Sequence, residues 1–192
     1  GLVSDSYALD RVIEIKEQPS YEGQTLITQS VGMDADAHVL SLALAESGKI
    51  NLVSLQYIDF RAAKDEDPEI KEQGILKTSE SLSLAGADAN TRGILVGQDW
   101  YFVVGNKVYT SPVLKPQLAD LTTLPDDLGV PVAVAVTSKE THLIIATYDA
   151  GSSHENKGSF ALVDLTTKEV KVHRNVMGKC VVAKGYDANP WF

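Results

Sequence analysis

The chain has 192 residues, 44% hydrophobic and 22% charged, which is ordinary globular composition with enough apolar side chains for a core. Lys and Arg total 17 against 26 Asp and Glu, a net charge of −9, and this argues against phosphate backbones and anionic lipid surfaces as partners. No run reaches the roughly 18 apolar residues of a membrane helix, and the single cysteine, Cys180, excludes an intrachain disulfide.

The chain begins Gly1-Leu2-Val3-Ser4-Asp5, with no Met. That reads as a processed or trimmed start and leaves export open. Residues 10–16 alternate in part, and 24–28 form a short β-branched stretch. In 38–46, Leu40, Leu42 and Leu44 share one face at a period of two. Ser47-Gly48 turns the chain, and 50–60 resumes with Ile50 and Leu52 on one face and Val53, Leu55 and Tyr57 on the other. Leu and Ala also favour helices, but the turn and the strand after it favour a β-hairpin.

Residues 61–74 are polar and acidic, with Pro68 and Gly74, and read as a loop or short exposed helix. Residues 75–84 alternate weakly, and a loop of small and polar residues follows. Three short strands come next, at 94–96, 100–104 and 107–113, with Gly105-Asn106 as a two-residue turn. Residues 114–130, with Pro116, Pro125 and Gly129, form a long excursion with one helical turn near 117–121.

The last third is clearest. Strands at 131–137, 142–148, 159–165 and 169–174 are separated by a turn at Lys139-Glu140, a polar loop and a turn at Thr167-Lys168, and 179–185 opens a further strand. Four antiparallel strands in the 44 residues of 131–174 match one β-propeller blade. Tyr148-Asp149-Ala150 is echoed by Tyr186-Asp187-Ala188, 186 − 148 = 38 residues later. The expectation is therefore an all-β chain of β-propeller-like four-stranded antiparallel blades, about four in 192 residues or part of a larger propeller. It reads as one all-β unit over 1–192, with 1–90 an irregular β region and 91–192 blade-like repeats.

The hairpin from Trp100-Tyr101-Phe102 through Gly105-Asn106 to Tyr109-Thr110 resembles those of propeller blades. Gly158-Ser159-Phe160-Ala161-Leu162-Val163-Asp164-Leu165, running through Thr167-Lys168 into Val170, is similar to the outer strands of such repeats. On these residues 94–192 resemble the C-terminal part of the propeller-bearing, PKD-like surface lipoproteins of Bacteroidetes. The resemblance implies an exported, cell-surface or periplasmic protein that binds a glycan or a protein without catalysing a reaction. No lipidation cysteine stands at the start of this sequence, and no binding residue carries over from that family.

The residues themselves offer few chemistries. There is no Gly-rich phosphate loop, no His-Glu-x-x-His, no Gly-x-Ser-x-Gly and no Cys-x-x-Cys. Cofactors and metals are therefore not expected. Asp34, Asp36 and His38 would share a face in an extended stretch, but lack the further oxygen ligands of a calcium loop, and read as a solvated turn. The acidic neighbours Asp65, Glu66, Asp67 and Glu69 read as a solvated face rather than a glycosidase pair. Cys180 reads as a buried small hydrophobe. Trp100 and Tyr101, or Trp191 and Phe192, could stack on a sugar, though Trp100 fits a core position better.

The polar stretch 149–158 is longer than hairpin loops of two to five residues need to be. Its Asp149, His154, Glu155 and Asn156, with Tyr186 and Asp187 from the echo, are the ligand-binding candidates. A binding module recognising carbohydrate or protein through loops at one propeller end is the first reading. A carbohydrate-active hydrolase or lyase using Asp149 and Asp187 is the second. An assembly domain completed by a partner or by an oligomer is the third.

Overall fold

The computed structural model describes residues 22–34, 37–58 and 75–178. The expected strands at 10–16 and 179–185, the acidic stretch 61–74, Cys180, Tyr186, Asp187, Trp191 and Phe192 lie outside them. Among the described residues the fold is all-β: twelve strands in three four-stranded antiparallel sheets, with a single 3-10 turn at Asp126–Leu128.

Each sheet is a meander, its strands paired in chain order. The first holds β1 (Thr25–Asp34), β2 (Ala37–Glu46), β3 (Lys49–Ile58) and β4 (Ile75–Ser83). The second holds β5 (Arg92–Val96), β6 (Asp99–Val104), β7 (Lys107–Pro112) and β8 (Ala119–Thr123). The third holds β9 (Val130–Val136), β10 (His142–Tyr148), β11 (Gly158–Asp164) and β12 (Val170–Met177).

The four strands expected over 131–174 are all present and pair as one sheet. Residues 38–46 are strand, paired across the Ser47-Gly48 turn from Glu46↔Lys49 to Ala37↔Ile58. Other expectations need correction. The helical turn near 117–121 is instead largely β8, which pairs with β7 and completes a four-stranded sheet. The irregular region of 1–90 contains, in its described part, a regular meander. Asp34 and His38 are not on one extended stretch, because the chain reverses between Asp34 and Ala37, which pair with each other.

Alternation along β6 explains how the sheets stack. Trp100, Tyr101, Phe102 and Val103 are consecutive and all buried. Side chains on a strand point to opposite faces in turn, so both faces of this strand are covered. Trp100 and Phe102 join Ala43, Ile50 and Leu52 of the first sheet in one core. Tyr101 and Val103 join Val136, Leu143, Ile145, Ala161 and Val163 of the third sheet in another. The two rings on the first face stack with centroids 6.0 Å apart, so Trp100 is core rather than a sugar platform. Tyr101 is buried with its hydroxyl bonded to Thr110, and burial, with Asp99 nearby, pushes its pKa up.

The first strands of successive sheets, β1, β5 and β9, are neighbours without sharing a hydrogen-bonded ladder. Gly93 makes the first approach possible. A Cβ there would lie 2.8 Å from a Phe102 ring atom and 3.1 Å from Ile27 Cγ2 of β1. Arg92 bridges the second. Its Nε donates to the Val132 carbonyl of β9 at 3.1 Å, and its Nη1 donates to Ala89 and Thr91 carbonyls at 3.0 Å each. These contacts join the start of β5 to the starts of β1 and β9, so the three sheets point the same way.

Three outcomes follow. Phe102→Ala, which empties the core between the first two sheets, lowers the unfolding free energy by about 3–5 kcal/mol in urea titration. Leu114→Ala, at a site 78% exposed, changes it by less than about 0.5 kcal/mol. Arg92→Met removes the side-chain bond from the second sheet to the Val132 carbonyl of the third and costs roughly 1–2 kcal/mol by the same measurement.

Candidate functional site

With the strands running alike, one end of the stack collects the connections from each sheet to the next, 84–91 and 124–129. The turns between the second and third strands of each sheet lie at that same end. In the first sheet this turn is Ser47-Gly48 and in the second Gly105-Asn106, two residues each. Both are used as docking points. Leu84, just after β4, donates its N–H to the Gly48 carbonyl at 2.9 Å, and Gly48 donates to Ala87 at 2.9 Å. Leu124, just after β8, donates to the Asn106 carbonyl at 2.7 Å. Asn106 also reaches Leu124 and Asp126 with its side chain. Leu84 and Leu124 are both buried, so each connection is fixed by backbone bonding to the turn and by a buried leucine.

In the third sheet the equivalent position holds nine residues, 149–157, instead of two. The hairpin does not need them. The Asp149 N–H closes the base on the Lys157 carbonyl at 3.0 Å. Inside, Asp149 Oδ1 accepts from the Gly151 N–H at 3.0 Å, Ser152 Oγ accepts from the His154 N–H at 3.2 Å, and Lys157 Nζ donates to the Ala150 carbonyl at 3.0 Å. The loop is therefore held by its own residues. His154, Glu155 and Asn156 are exposed, and their side chains bond to no described residue.

The structure thus brings His154, Glu155 and Asn156 together at the crest of one ordered loop. Asp149 lies at its base, where its carboxylate positions the loop's backbone and is not fully available to a ligand. The other two candidates, Tyr186 and Asp187, lie outside the described residues.

The base of the loop is braced from the neighbouring connection. Gly129, just before β9, has φ 79° and ψ −153°, a region open essentially to glycine alone. A Cβ there would stand 2.4 Å from the Tyr148 carbonyl oxygen and 2.7 Å from Asp149 Cα. The sequence marked Gly129 only as part of a loop. Its function, close packing of the 124–129 connection against the root of the long loop, required the fold to be seen.

An ion pair ties the same connection to the outer strand. Arg174 on β12 donates to both carboxylate oxygens of Asp127, at 2.8 and 3.1 Å. The bonded guanidinium holds the Asp127 carboxyl below its usual range and raises Arg174. At the opposite end, the Thr167 and Thr166 N–H groups donate to Asp164 Oδ1 at 2.7 and 2.8 Å and lower that carboxyl too. The His142 ring nitrogen lies 3.4 Å from Asp164 Oδ2.

Among the described residues no group of three or more His, Cys, Asp and Glu side chains is placed to hold a metal ion, and no helix is long and apolar enough to cross a membrane. No protein-family model matches the chain. No curated protein is significantly similar to it.

Gly129→Ala forces both an unfavourable backbone and a collision, and lowers the thermal midpoint by more than about 4 °C, since 1 kcal/mol is worth roughly 2–4 °C in a chain this long. Asp127 and Asp164 have lowered folded-state pKa values. Their contribution to stability is therefore fully present at neutral pH and is lost as pH falls below about 4. Thermal melts of Asp127→Asn and Asp164→Asn against the parent show the largest gap above about pH 5, and the gap closes toward pH 2.

Proposed function

We propose that the chain is a non-enzymatic binding module that recognises a carbohydrate or a protein through loops at one end of a β-propeller-like stack. The observation that carries this reading is the nine-residue loop 149–157 at a position where the first two sheets use two-residue turns. Seven extra residues, 9 − 2, are ordered by internal bonds and raise three polar side chains that bond to no described residue. A loop ordered by its own bonds and exposed at its crest is suited to contact something outside the chain.

The propeller part of the proposal draws on three consecutive four-stranded meanders whose first strands are successive neighbours and whose faces pack sheet on sheet. That is how blades are arranged around an axis. The exported, cell-surface setting belongs to the same proposal and is supported by the likeness of 94–192 to the PKD-like lipoproteins of Bacteroidetes.

The chemistry of the crest suits hydroxyl and amide ligands. Asn156 offers a carbonyl acceptor and two N–H donors, Glu155 two acceptor oxygens, and His154 one ring donor and one acceptor when neutral. Such a set can bracket neighbouring hydroxyls of a sugar or the backbone of a peptide. Binding of this kind needs no nucleophile, metal or cofactor.

A glycan array and an affinity pull-down with the whole chain identify the ligand, and titration calorimetry measures it. The triple variant His154→Ala, Glu155→Ala, Asn156→Ala binds at least about tenfold more weakly, a loss of about 1.4 kcal/mol. Its thermal midpoint stays within about 2 °C of the parent, because all three side chains are exposed. No ligand at millimolar concentration in either screen, or full affinity in the triple variant, overturns the proposal.

A further inference from the structure

We draw no further inference here: the strongest candidate, the apolar outer face of the third sheet around the half-buried Ile144, Phe160 and Leu162, carries nothing because nothing in the structure shows what covers it.

Discussion

The fold depends on the burial of β6 on both faces. A strand with one wet face can bury only every second residue. Four buried residues in succession, Trp100 to Val103, require protein on either side. That requirement draws the first and third sheets onto the second and divides the interior into two cores. One sets Trp100 and Phe102 among aliphatic side chains and the other sets Tyr101 among them. The rest follows from satisfying it. Here each sheet is a meander, so the links run from the last strand of one to the first strand of the next. Gly93 and Arg92 then settle how closely those first strands approach.

This arrangement separates holding from contacting. At the end where the sheets are linked, the short turns of the first two sheets are consumed in fixing the connections, through the Gly48 and Asn106 carbonyls. A two-residue turn used in this way has little left to offer a ligand. The third sheet departs from the pattern at the one corresponding place. Its loop closes on itself and is braced from beneath by Gly129, so its crest is free of structural duties.

Much of this was legible in the sequence, for identifiable reasons. Residues 131–174 could be read because apolar, β-branched stretches of similar length recur there, with the Lys-Glu and Thr-Lys turns and a polar loop between them. The Asp149 loop was visible through its length alone. β8 was not visible. Pro116 followed by Gln117-Leu118-Ala119-Asp120-Leu121 carries the local marks of a helix start. What makes 119–123 a strand is pairing with β7, a partner set by tertiary structure and not by the segment's own composition. The brace at Gly129 was hidden for a similar reason, since its need for glycine arises from Tyr148, distant in sequence and adjacent in space.

Four of the described aspartates have local roles that sharpen the reading of the loop. Asp88, Asp149 and Asp164 each accept the N–H two residues ahead, from Asn90, Gly151 and Thr166. These are Asx turns, in which the carboxylate replaces a backbone acceptor. Asp127 is engaged by Arg174. These four acids are thus employed in shaping turns and clamping a connection. In the loop this leaves Asp149 as the residue that sets the backbone and Glu155 as the acid facing outward, between an imidazole and an amide. A carboxylate beside an imidazole and an amide offers acceptors and donors in close sequence, as recognition of hydroxyl or amide groups requires.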